Sequence, residues 1–124
     1  MSRFVFAAAI VFAAPAFAET TYFSAVEDIP LPSGFAESPG WSMATEAGAL
    51  TEARAEGPGG VADARAFYER SLPVLGWSLS VEGDGSLAFI RGRERLMFGF
   101  AASSADRTTI RARLLVRPAS MNAD

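Results

Sequence analysis

Arginines and carboxylates are the residues through which this 124-residue chain could do chemistry: it carries 11 arginines and 14 acids, with no histidine, cysteine or lysine. Without histidine it lacks the commonest general base and metal ligand, and every nucleophile that histidine would activate. Without cysteine there is no thiolate chemistry, and without lysine no Schiff base or phosphate-loop lysine. What remains for acid–base work is carboxylates. Glu46, Glu52 and Glu56 fall close together in the sequence, and a pair held about 5 to 9 Å apart in a cleft could hydrolyse a glycosidic bond. Their spacing singles out no such pair, and solvated strand glutamates are the simpler expectation. Glu82-Gly83-Asp84-Gly85 supplies too few oxygens for calcium and reads as a turn. No metal, cofactor or catalytic residue is implied.

The arginines carry a pattern. From Arg107 to Arg117 apolar and polar residues alternate, with Thr108, Ile110, Ala112, Leu114 and Val116 on one side and Thr109, Arg111, Arg113, Leu115 and Arg117 on the other. A strand over this stretch sends Arg111 and Arg113 outward, and the two strands before it add Arg95 and Met97, and Ile90, to the same face. Guanidinium groups around apolar residues suit carboxylates, phosphates or an acidic protein surface. Tyr68 is a further candidate, for a hydroxyl placed at a cleft. The charge is also uneven: residues 19–64 hold eight acids and one arginine, residues 65–124 nine arginines and six acids. Two such halves attract one another within one domain, and an acidic N-terminal arm could neutralise the arginine face. Nucleic acid is not expected, because the net charge is −3.

The strand carrying Arg95 is defined by a hairpin. If Gly92-Arg93 forms a two-residue turn between Ser86–Arg91 and Glu94–Ala101, Arg91 faces Glu94, Phe89 faces Leu96 and Leu87 faces Phe98. That register gathers Leu87, Phe89, Leu96, Phe98 and Phe100 on one face, and a slip of one residue would lose the match. Trp77, Leu79 and Val81 alternate with serines and Glu82 in a preceding strand. Before it, Val61, Ala64, Phe67, Tyr68 and Leu72 form the stripe of an amphipathic helix that opens after Pro58-Gly59-Gly60 and ends near Ser71 or Leu72 at Pro73. Trp41 to Glu56 reads as two short strands joined near Gly48. Together these predict a single α+β domain, an antiparallel sheet of about five to six strands in the order ββαββββ, packed on one helix.

The flanks complete the organisation. Arg3, the apolar run Phe4–Ala14, Pro15 and Ala16-Phe17-Ala18 read as a cleaved secretory signal over residues 1–18. Eleven apolar residues rise only about 16 Å as a helix, too short to span a bilayer. The expectation is a periplasmic or secreted protein with no membrane insertion after cleavage. Residues 19–40, with Pro30 and Pro32, predict an extended arm docked over the domain at residues 41–118. Residues 119–124 are read as a frayed tail.

Phe67-Tyr68-x-x-x-Leu72-Pro73-x-x-Gly76-Trp77, with Asp28-Ile29-Pro30-Leu31 before it, resembles a family of small exported bacterial domains of uncharacterised function. In those an F-Y-x-x-x-(L/M)-P-x-x-G-W stretch closes a helix and opens a sheet. The resemblance implies an α+β fold and brings no activity or site residues with it. The leading functional expectation is a non-catalytic binding or accessory module that holds a protein or small anionic ligand on the arginine-bearing sheet face or in the groove between arm and sheet. The alternatives are a carboxylate hydrolase acting on envelope polysaccharide and a structural envelope protein that associates through an edge strand.

Overall fold

The computed structural model describes residues 20–83 and 86–118. The signal at 1–18, the turn residues Asp84 and Gly85, and the tail at 119–124 lie outside the described residues. Within them no helix is long and apolar enough to cross a membrane. The elements are β1 (Thr21–Tyr22), β2 (Pro30–Leu31), β3 (Ala36–Thr45), β4 (Gly48–Pro58), α1 (Val61–Val74), β5 (Ser78–Gly83), β6 (Ser86–Arg91), β7 (Glu94–Ser104) and β8 (Arg107–Val116). One helix lies on a six-stranded antiparallel sheet of spatial order β3-β4-β8-β7-β6-β5, and β1 and β2 pair separately. The class is α+β. The expected order ββαββββ is corrected at its front, where the arm contributes the two extra short strands.

The β6–β7 hairpin has the register its apolar pattern demands: Arg91 pairs with Glu94, Phe89 with Leu96 and Leu87 with Phe98. Its five large apolar residues are all buried. β3 begins at Ala36, inside the stretch read as arm, because Glu37 and Ser38 pair with Ala55 and Arg54 before a bulge at Pro39-Gly40. A Cβ at Gly40 would collide with the carbonyl of Glu52, so the bulge brings the two backbones together where no side chain fits. Glu46 lies in the turn between β3 and β4 rather than on a strand. In β5, Leu79 pairs with Phe89 and shares its face, but at the sheet edge it stays 47% exposed.

α1 continues through Pro73 to Val74. A proline in the last turn forfeits only the bond to the Glu69 carbonyl, on an exposed part of the helix where water can serve. The helix ends instead at Gly76, whose φ of 97° suits a residue without a Cβ. The Trp77 amide donates to the Leu72 carbonyl at 3.1 Å and the Gly76 amide to the Pro73 carbonyl at 3.1 Å, the bonding pattern of a Schellman motif. Leu72 and Trp77, the apolar pair that this motif brings together, are both buried. The L-P-x-x-G-W spacing is thus a helix terminator whose two apolar ends both enter the core.

One core fills the space between sheet and helix, and the arm shares it. Ala64, Tyr68 and Leu72 from α1 meet Leu87, Phe89, Leu96, Phe98, Phe100 and Ile110 from the sheet, beside Phe23, Val26, Ile29, Leu31 and Phe35 from the arm. Tyr68 stands where the three meet. Its ring stacks on Phe98 at 4.2 Å, and its hydroxyl donates to the Pro30 carbonyl at 2.6 Å. Burial pushes the phenol's pKa up, so it stays a donor. The helix start is fixed by Thr108, which is fully buried and donates from Oγ1 to the Gly59 carbonyl at 2.8 Å. Tyr68→Phe removes the only polar tie from helix to arm among the described residues and leaves a buried carbonyl unpaired. It should lower unfolding free energy by about 1 to 2 kcal/mol, read as a drop in urea midpoint at unchanged slope.

Candidate functional site

The face of the sheet opposite the helix has no layer over it among the described residues, and the strand registers order its side chains into rows. One row runs Trp41, Glu52, Arg113, Met97, Ala88; the next Arg54, Arg111, Gly99, Ser86. On one side of these lie Met43, Leu50, Leu115, Arg95 and Ile90, and on the other Glu56, Thr109 and Ala101. Arg95, Arg111, Arg113, Ile90 and Met97 therefore share the outer face. The structure divides them, however. Arg111 and Arg113 lie together with Arg54, while Arg95 opens onto a separate hollow of about 270 Å³ with Ile90, Arg93, Leu115 and Arg117. Tyr68 is fully buried in the core on the opposite side; its hydroxyl faces the arm and not a cleft.

At the centre sits a carboxylate that the sequence alone read as solvated. Glu52 is 1% exposed because two guanidinium groups roof it: Arg113 Nε donates to Oε1 at 2.9 Å and Arg54 Nε to Oε2 at 2.9 Å. Both arginine side chains remain about half exposed, so the acid is shielded on a bare sheet face rather than sunk in a core. Burial raises its pKa, while hydrogen bonds from Arg113 and Arg54 and their charges lower it, and the net is a pKa below the usual 4.5. The two halves of the chain do attract one another as expected, here and where Arg107 approaches Glu56 at 3.5 Å. The acidic arm takes no part in this. It packs on the helix side, where Glu37 accepts from the Ser24 and Ala25 amides and the Ser24 hydroxyl.

Arg111 is different from its neighbours. Among the described residues it has no ion pair or hydrogen bond, and it stands directly opposite Arg54 on β4. Its guanidinium lies over Gly99, 3.8 to 3.9 Å from where a Cβ would be. The missing side chain makes a hollow of about 460 Å³ whose lining includes Arg54, Arg111, Thr109, Ser86 and Ala101. A shallower extension of about 200 Å³ reaches Met97 and Arg113. The groove between arm and sheet is of similar size, about 500 Å³, lined by Ser24, Ala25, Glu37 to Ser42 and Thr51. Its one charge is the Glu37 carboxylate, already occupied, so it offers nothing to an anion.

Among the described residues Glu46, Glu52 and Glu56 form no paired acids. Glu52 and Glu56 lie four residues apart on one strand, about 13 Å along it, with Arg54 between them. Glu56 is held by Ser103 and Arg107, Glu46 is in a turn, and the pKa of Glu52 moves down where a general acid would need it raised. Among the described residues no cluster of acids could hold a metal. Arg54, Gly99 and Ser86 escaped the sequence reading, and Glu52 was read only as a candidate acid, because they join Arg111 only through the β4–β8, β7–β8 and β6–β7 pairings. The one signal for them was Glu52-x-Arg54 beside Arg111-x-Arg113, two alternating charged strands of matching period. No known protein family, curated protein or solved structure matches this chain.

Because the folded-state pKa of Glu52 lies below its ordinary value, its ion pairs stabilise the fold fully above about pH 4.5 and lose that contribution as pH falls through the folded pKa. Glu52→Gln should be less stable than the parent at neutral pH by about 1 kcal/mol, a magnitude set by the half-exposed arginines. The two proteins should converge in urea unfolding as pH falls through the folded pKa of Glu52.

Proposed function

We propose that this is an exported, non-catalytic binding module that holds an anionic partner on the outer sheet face at Arg111. The observation that carries the reading is a guanidinium without a counter-charge among the described residues, placed beside a second arginine over a hollow with two hydroxyls in its lining. Like charges directly opposite on neighbouring strands are unfavourable by themselves, and an anion seated between them removes that cost. Arg113 has a different task, since it roofs Glu52, and reversing its charge would strand a shielded carboxylate. Export follows from the signal-like leader, and the resemblance to small exported bacterial domains accords with it.

The test separates face from groove. Tagged full-length protein is recovered from the envelope fraction of its own host as the parent, as Arg111→Glu and as Glu37→Ala. The expected result is that a partner recovered with the parent persists with Glu37→Ala and is lost with Arg111→Glu, while thermal midpoints of the parent and Arg111→Glu agree. Equal recovery with Arg111→Glu would remove the arginine face from the reading.

A second reading, association through an edge strand, is favoured by β3. Its outer residues Trp41 and Met43 are 45% and 53% exposed, and no charge guards the stretch Ser38–Thr45. Pro39 and its bulge protect only the first half of that edge. On this reading the protein sediments as a dimer at high concentration, and Met43→Lys returns it to a monomer. A parent that stays monomeric throughout would dismiss the reading.

A further inference from the structure

The charge around Arg111 specifies more than an anion. We infer that the hollow over Gly99 takes the phosphoryl group of a small phosphomonoester, a step that rests on the anion-binding reading of this face. Two guanidiniums, Arg54 and Arg113, hold one carboxylate, Glu52, and Arg111 stands opposite Arg54 in the next row. The adjacent Glu56 and Arg107 cancel one another. Among the described residues two positive charges therefore remain across the hollow and its extension toward Arg113, which a phosphomonoester near neutral pH balances and a single carboxylate or sulfate ester does not.

The donors match the shape of the group. Arg111 has its whole guanidinium fork available, and Arg54, whose Nε is spent on Glu52, still has its outer nitrogens. Guanidinium forks meet two phosphoryl oxygens at once. Thr109, two residues from Arg111 along β8, and Ser86, beyond Gly99 on β6, line the same hollow and bring hydroxyls for the remaining oxygens. The ends of the site differ in kind. Toward Thr109 stands the Glu56 carboxylate, which repels a chain that continues negative. Toward Met97 and Ala88 the next row is apolar on β7 and β6, with Arg113 beside it on β8, and the shallow extension leads there. A phosphoryl group in the hollow thus places its carbon skeleton over Met97, the arrangement for a small organic phosphate and not for a long polyanion. A free metabolite and a phosphorylated headgroup at a membrane surface share this chemistry.

Gly99 provides a test that leaves every charge in place. A Cβ there meets only the Arg111 guanidinium, at ordinary contact distance, so valine fits the strand while its methyl groups lift Arg111 and fill the hollow. Purified protein is titrated calorimetrically with glucose 6-phosphate, glucose 6-sulfate and glucuronate, and by co-sedimentation with vesicles of phosphatidylcholine with and without phosphatidic acid. The expected result is that glucose 6-phosphate, or the phosphatidic acid vesicles in its place, binds at least about tenfold more tightly than the monoanions. Gly99→Val and Arg111→Gln should each abolish that preference at unchanged thermal midpoint. Binding of glucuronate or the sulfate ester as tightly as the phosphate overturns the phosphoryl assignment and leaves the anion-binding reading intact. Binding of none of the probes overturns the assignment also, and recovery of a partner that depends on Arg111 from the envelope then decides the broader reading separately. Phosphate binding that survives Gly99→Val places the ligand elsewhere and overturns the site.

Discussion

Six strands span about 24 Å, while a helix of 14 residues covers a strip about 21 Å by 10 Å, so one helix cannot close the inner face. The arm makes up the difference. It presents Phe23, Val26, Ile29, Leu31 and Phe35 to the same core as the helix, in a region where Ala53, Ala55 and Ala112 keep the sheet surface low. An irregular segment brings unpaired backbone groups with it, and Tyr68 takes one of the buried ones, at Pro30. The stack of Tyr68 on Phe98 and that bond hold sheet, helix and arm in one packed layer, and every apolar element outside the sheet is thereby committed to one side.

The other side is left to side chains alone. A bare sheet face with apolar positions is an invitation to aggregate, and here long arginines lie across it. Glu52 holds two of them down with both its oxygens, which keeps their stems on the sheet and their charge partly spent. Arg111 has no such anchor and rests over the gap at Gly99. The stability device and the candidate site are thus parts of one charge array, in which a single carboxylate decides which guanidiniums are bound and which one is available.

What could be read from the residues follows from the range of the interactions involved. The β6–β7 register was legible because a two-residue turn and period-two alternation determine it locally. The outward set Arg95, Arg111, Arg113, Ile90 and Met97 was legible for the same reason. The helix terminus was misplaced because Pro73 was read as a stop, whereas the stop is made two residues later by Gly76, Leu75 and the Leu72–Trp77 contact. The burial of Glu52 was invisible because it arises from the pairing of β4 with β8, strands separated by the helix and three strands of sequence. The separation of Arg95 from Arg111 comes from the β7–β8 register, which pairs Arg95 with Leu115 and Arg111 with Gly99.

That same seam has a temporal side. β5 to β8 form a meander whose turns are all short, so their pairing closes small loops, whereas joining β4 to β8 closes a loop from Pro58 to Arg107. Loop-closure entropy and contact order place that joining late. The β3–β4 hairpin then arrives as a preformed unit, and the clasp of Arg113 on Glu52 is formed only when it docks. The hollow over Gly99, which needs Arg54 from one unit and Arg111 from the other, is complete only once that seam is closed, and a chain without it would present the arginines of β8 on an open strand edge.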